Sequence, residues 1–126
     1  MPIIIQKATS KQIIAAIKSG DFSTVDAINK KASKEALEIF DVVAGGVVKL
    51  AFWDMSPVKR RDGKKSVFRY ALHRSTKKAD CLQLSCMEIV SGEIIPTSDR
   101  QFKINDDYDR QEFFRSLPAI TKIDFK

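Results

Sequence analysis

The sequence has few of the side chains that metal binding and metal-dependent catalysis need. It contains a single histidine, His73, and two cysteines, Cys81 and Cys86. Cysteines five positions apart point to opposite faces of a strand, so this pair and one histidine cannot supply the ligands of a structural zinc site. We therefore expect no bound metal.

Nucleotide-binding loops are missing as well. Gly45-Gly46 lacks the later glycine or the Gly-Lys-Ser/Thr of a phosphate loop, and strand-type sequence follows it. Phosphate cradles lead into a helix instead. The acidic run 105–109 lacks the glycine and the final glutamate of a calcium loop, and helix capping accounts for it better. No cofactor is expected.

Long apolar runs and targeting signals are absent too. The longest apolar stretch, 42–48, is far shorter than the ~18 residues of a membrane helix. The opening segment 1–5 has no positively charged region before its apolar run and no cleavage site after it. These features predict a cytoplasmic protein with reduced thiols and no membrane partner.

What is present fits one domain over residues 1–126, with a helical layer at 1–45 and a sheet with a C-terminal helix at 46–126. The chain has 126 residues, of which 44% are apolar, enough for a core without disulfides. Thr9 and Gln12 fit a capping box, an isoleucine stripe at 13–17 follows, and Gly20 ends this helix. The pattern predicts a second short helix from Ser23 and a third from about residue 33 to the glycine pair.

Beyond the glycines, the pattern has strand period. Strands are predicted at 47–55, 67–74 and 81–90, and Pro96 confines a fourth, 93–97, to a sheet edge. Asn105 or Asp106 caps a last helix that ends before Pro118, and the tail 120–125 adds another strand. The predicted class is α+β, with N-terminal helices packed on a four- to five-stranded antiparallel meander and one further C-terminal helix.

Alternation within the strands predicts the core. The helix-facing layer is expected to contain seven side chains, Phe40, Val43, Phe68, Tyr70, Leu72, Leu82 and Leu84. Cys86 shares the face of Leu82 and Leu84 and is expected to be buried. Cys81 points to the opposite face of the strand and is expected to be accessible to solvent.

The positive charge is concentrated in residues 56–78, which carry nine basic groups and one acidic group, a net charge of +8. The flanking segments sum to +1 and −3. Asp62-Gly63 is a strong hairpin signal, which predicts a basic ribbon at the tip. The candidate nucleic-acid-binding residues are Lys59, Arg60, Arg61, Lys64 and Lys65 around this turn, and Arg69, His73 and Arg74 along the second arm.

An aromatic side chain is expected beside Arg69 and His73. A two-residue turn puts Trp53 opposite Leu72 in the hydrophobic layer and Phe52 on the face of Arg69 and His73, and a bulge near residue 57 exchanges them. The aromatic on that face is a stacking platform for unpaired bases. The alternative is that the last helix covers it through Phe113, Phe114 or Leu117, and for Trp53 we favour this burial.

Three functional hypotheses are consistent with these residues. The favoured hypothesis is a non-enzymatic module that binds the phosphates of DNA or RNA. A protein-interaction module, an inhibitor or adaptor of an acidic partner, uses the same ribbon equally well. The third is a small metal-independent ribonuclease with His73 as acid or base and Arg69 on the phosphate, but Tyr70 and Glu88 both point to the opposite face and leave His73 without a partner.

Overall fold

The computed structural model describes residues 3–46, 50–117 and 122–126. In these ranges the helices are α1 (Ser10–Ser19), α2 (Ser23–Ala44) and α3 (Asp107–Ser116). The strands are β1 (Leu50–Asp54), β2 (Val58–Lys59), β3 (Lys65–Arg74), β4 (Cys81–Val90), β5 (Glu93–Lys103) and β6 (Lys122–Phe125). Parts of three predicted features lie outside the described residues: the start of the first strand, Pro118 and the start of the tail.

The strands form one antiparallel sheet in the order β5-β4-β3-β1-β6, and β2 pairs with β3. This arrangement confirms the predicted α+β class. The strand with Pro96 lies at a sheet edge, as predicted, but it continues to Lys103. It continues past a bulge at Thr97 of β5, which is left unpaired because Met87 of β4 pairs with Pro96 and the preceding Cys86 pairs with Ser98.

The core lies between the helices and one face of the sheet. Phe113 of α3 stands at its centre, with ring centroids 5.2 Å from Phe40, 5.7 Å from Phe102 and 6.5 Å from Trp53. Of the seven predicted core residues, five are buried and Tyr70 packs against them half-buried. Phe68 is half-buried opposite Glu88, outside this cluster.

The second and third predicted helices are one continuous helix of 22 residues, so the predicted break near residue 33 is wrong. No glycine or proline lies between Ser23 and Ala44 to interrupt the backbone. Ala32 and Ala36 keep the same face buried across the expected boundary. The N-cap residue of α2 is Phe22, which provides no side-chain cap, and the carboxylate of the preceding Asp21 accepts from the Ser23 backbone N–H at 3.0 Å.

The first helix begins and ends as predicted. Thr9 and Gln12 form the capping box, and Gly20 takes the left-handed conformation with φ of 76°. Its apolar stripe, however, is turned toward solvent: Ile13, Ile14 and Ile17 are 38%, 53% and 63% exposed, whereas Ala16 is buried. The small alanine face, not the isoleucine face, is therefore the inward side of α1.

Both cysteines are buried and free. Cys86 was expected to be buried, but the expected exposure of Cys81 is wrong. Cys81 is the first residue of β4, where strand alternation no longer decides burial because the preceding turn folds back on it. Its N–H donates to Lys78 O at 3.1 Å and its carbonyl accepts from Ser75 at 3.0 Å. Burial raises the pKa of the Cys81 thiol, which opposes formation of a reactive thiolate.

Replacing Phe113 tests the position of the core. Phe113→Ala removes the ring that three other aromatic rings contact, and we expect a loss of about 3–5 kcal/mol in the free energy of unfolding, measured in urea. Tyr108→Ala is the matched control, because Tyr108 lies on the same helix and is 67% exposed. Its effect should stay within about 0.5 kcal/mol. Equal losses in both variants would contradict this core.

The titration of Tyr70 makes the stability of the folded protein depend on pH in the alkaline range. Burial raises the pKa of Tyr70 to about 12 from an ordinary 10.0, and a hydrogen bond with Cys86 adds to the shift. Because the folded state holds this proton more tightly, its contribution to stability is complete below pH 10 and disappears as pH rises through about 12. Absorbance titration of tyrosinate should show a late step that Tyr70→Phe removes. A titration unchanged in this variant contradicts the assignment.

Candidate nucleic-acid interface

The sheet has one open face. No helix within the described ranges packs on it, and the side chains there are half-buried at most of its positions. Alternation along the strands and the pairing register define the members of this open face. They include Leu50 and Phe52 of β1, Val67, Arg69, Ala71 and His73 of β3, and Gln83, Ser85, Met87 and Ile89 of β4.

The hairpin turn lies where the sequence predicts it but is one residue longer. The Arg60 N–H donates to Lys64 O at 2.8 Å, which leaves a three-residue loop, 61–63. Gly63 has a φ of 83°, the left-handed conformation that closes such a loop. The Asp62 carboxylate accepts from the Lys64 N–H at 3.0 Å and fixes the loop from inside.

A second offset near Pro57 restores the predicted faces. Val58 pairs with Ser66 and Asp54 pairs with Arg69. Between these two pairs the chain advances four positions from Asp54 to Val58 but only three from Ser66 to Arg69, so the segment between β1 and β2 holds one extra residue. Trp53 therefore lies opposite Tyr70 and not opposite Leu72. Since the two offsets together move the register by two positions, every side chain keeps its predicted face.

The two large aromatics of β1 have separate environments. Trp53 is fully buried and stacks on Tyr70, with ring centroids 5.8 Å apart, beneath Phe113 of the last helix. The predicted burial of Trp53 under the last helix is confirmed, but Trp53 lies in the main core and not in a second small core on the face of Arg69 and His73. Phe52 lies on the open face, where the Arg69 guanidinium carbon is 5.3 Å from its ring centroid. The open face thus carries one half-buried aromatic ring beside a guanidinium group.

The hairpin tip carries cations without carboxylate partners. Lys59 and Lys65 lie directly opposite each other on paired strands, which is destabilising for like charges. In the part of the chain that the structure describes, Lys59, Arg61, Lys64 and Lys65 make no ion pair. Arg60 is different, because it lies 3.6 Å from Glu88 and 3.7 Å from Asp62.

Three guanidinium groups elsewhere in the described residues have carboxylate partners. Arg110 bonds Asp41 at 2.9 Å, and Arg115 bonds Glu112 at 2.6 Å. On the open face, Arg69 donates from Nε and Nη2 to the two carboxylate oxygens of Asp54, at 2.7 and 3.0 Å. This bidentate bond raises the pKa of Arg69 and fixes the guanidinium beside Phe52. Its remaining N–H groups can still donate to an anion.

A polar cluster lies at the far end of the open face. The Nδ1 atom of His73 is 2.9 Å from the Arg74 carbonyl, which can only accept, so Nδ1 carries a hydrogen and donates it. Hydrogen bonds from Ser85 and Gln83 lower the pKa of Asp99, and the positive charges of Lys77 and His73 act in the same direction. Asp99 was missed because the predicted strand stopped at residue 97, and Phe102 is the one residue in 98–103 whose type favours a continued strand.

The fold divides the predicted site residues into two groups. Lys59, Lys65, Arg69 and His73 share the open face, and Arg60, Arg61 and Lys64 lie at the tip beside them. Arg74 is separate, because it lies on the helix side of β3 and donates to the Ala44 carbonyl at the end of α2. β3 has ten residues and spans roughly 30 Å, so the basic loop and Arg74 are at opposite ends of it.

Metal-binding groups and membrane-spanning helices are absent from the described residues. No three of their His, Cys, Asp or Glu side chains are grouped as a metal site would require. None of their helices is both long and apolar enough to cross a membrane. Comparisons of the chain with protein-family models, curated proteins and solved structures gave no match. Functional inference therefore depends on the geometry and charge of the hairpin and the open face.

Proposed function

We propose that this protein is a non-enzymatic nucleic-acid-binding module that contacts phosphates through the basic hairpin. The observation that carries the proposal is the set of four hairpin cations without ion pairs, with Lys59 directly opposite Lys65. An anion between the two lysines turns a repulsive pair into an attractive site. Binding of the anion therefore also stabilises the hairpin.

The distribution of charge favours an extended polyanion over a small anion. Lys65, Arg69 and His73 follow each other at four-residue intervals on one face of β3, about 13 Å apart. Together with the loop cations, they form a line much longer than one phosphate group. A nucleic-acid backbone presents charge along such a line, and each contacted phosphate releases condensed counterions.

Neutralising the hairpin tests this function. The fourfold variant Lys59→Gln, Arg61→Gln, Lys64→Gln and Lys65→Gln should bind DNA and RNA oligonucleotides more weakly, to a similar degree for all sequences. If all four cations contact phosphates of a single strand, the slope of log K against log salt should flatten by about 3. Fluorescence anisotropy at several salt concentrations measures both quantities.

The control variant changes the net charge by the same amount elsewhere. Lys11, Lys18, Lys30 and Lys34 are exposed on α1 and α2, away from the open face, and their replacement by Gln also removes four positive charges. We expect this variant to keep most of the affinity and of the salt slope. Equal losses in the two variants would show that only the net charge matters, and the hairpin would then have no special role.

A protein-interaction module is the second candidate, and one observation favours it. The isoleucine stripe of α1 is exposed, and Lys11 and Lys18 lie on the same helix with no acidic residue among them. Such a face suits an apolar groove with acidic residues at its rim. If wild-type protein binds neither DNA nor RNA at low salt, this candidate replaces the first.

Replacing His73 separates the binding module from a ribonuclease. Tyr70 and Glu88 have the helix-side parity, so neither faces His73 across the open face. We expect wild-type protein to leave labelled RNA intact, and His73→Ala to change RNA affinity by less than about threefold because only one of many contacts to the nucleic acid is lost. RNA cleavage that His73→Ala reduces by orders of magnitude would refute the non-enzymatic proposal.

A further inference from the structure

A notch interrupts the open face beside Phe52. Ala71 of β3 pairs with Phe52 on one side and with Ser85 on the other, so the middle of the face is lined by small side chains. Phe52 and Met87 stand on the two strands that flank β3. The resulting depression has a volume of about 300 Å³ and is lined by Leu50, Phe52, Arg69, Ala71, Met87 and Lys126.

The lining suits a flat, uncharged ring attached to an anionic chain. Its walls are an aromatic ring and a thioether, which both pack well against planar groups. Its two charged lining residues, Arg69 and Lys126, are cations, and Asp54 already holds Arg69 in place. Asp124 of β6 pairs with Phe52 and adds a negative charge to the same face, so attraction of a phosphate beside the depression depends on Lys126 and the hairpin lysines, while the depression itself offers apolar contact.

Strand geometry leaves room for one such ring. The strands that carry Phe52 and Met87 are two strand spacings apart, roughly 9.6 Å, and the β3 strand between them places Ala71 beside Phe52 and Arg69 beside Met87. A ring that enters this space contacts the Phe52 side chain. Bases within a duplex are stacked and paired, so only an unpaired base can enter a notch in a sheet.

We infer that this notch binds one unpaired nucleobase, which makes single-stranded DNA or RNA the preferred ligand. The inference rests on the proposed nucleic-acid function and adds the selectivity that the hairpin alone does not supply. The base packs against the Phe52 ring, and the adjoining phosphates lie toward Arg69, Lys126 and the lysines of the hairpin. Duplexes reach the hairpin cations but not the notch.

The test compares strands that differ only in their bases. Three 12-nucleotide probes are used at one low salt concentration: oligo(dT), an abasic strand with the same phosphates, and a mixed-sequence duplex. Wild-type protein should bind oligo(dT) about 5- to 150-fold more tightly than the abasic strand, the range expected for one stacked base. Phe52→Leu should lose this preference, and Phe52→Tyr, which retains a ring, should keep it.

The two proposals fail in different ways. Equal affinity of wild-type protein for oligo(dT) and the abasic strand, or an undiminished preference in Phe52→Leu, overturns the notch inference while the hairpin function stands. Absence of binding to all three probes overturns the function itself. Affinity for the duplex should change less than about twofold in Phe52→Leu, and circular dichroism with urea unfolding confirms that the variant is folded, as expected for a half-buried residue.

Discussion

Burial of aromatic rings on one side of the sheet is the constraint on which the rest of the structure depends. Phe113 lies among Phe40, Trp53 and Phe102, so it joins α2, α3 and both halves of the sheet in one contact. A chain of this size has enough large apolar side chains for one such layer. With most of its large rings on the helix side, the opposite face keeps Phe52, medium-sized apolar residues and charged residues, and no helix of the described residues covers them.

Local patterns in the sequence were sufficient where neighbouring residues decide the structure. The capping box at Thr9, the cap at Asp106 and the turn around Gly63 all use side chains within a few positions of the backbone groups they satisfy. The face on which each side chain of β3 lies was predicted equally well, because alternation of side chains is a property of the strand itself. The face that carries Arg69 and His73 could therefore be predicted before any pairing was known.

Features that depend on residues far apart in the sequence could not be predicted from such local patterns. The length of α2 is set by a sheet that holds Ala32 and Ala36 on one surface, and the burial of Cys81 depends on a turn that folds back over it. The ion pair of Arg69 with Asp54 requires the pairing of β1 with β3, which a one-residue error in the loop would displace. The separation of Arg74 from the hairpin likewise follows from the ten-residue length of β3.

The two register offsets between β1 and β3 have a consequence for how this protein can change in evolution. Each offset, one in the 61–63 loop and one near Pro57, exchanges the faces of β1, and only together do they leave Trp53 inside. Loss of one residue at either place alone turns an indole outward and a phenylalanine inward. Insertions and deletions at these two places must therefore arise as compensating pairs, although each lies in an exposed segment where length changes are usually neutral.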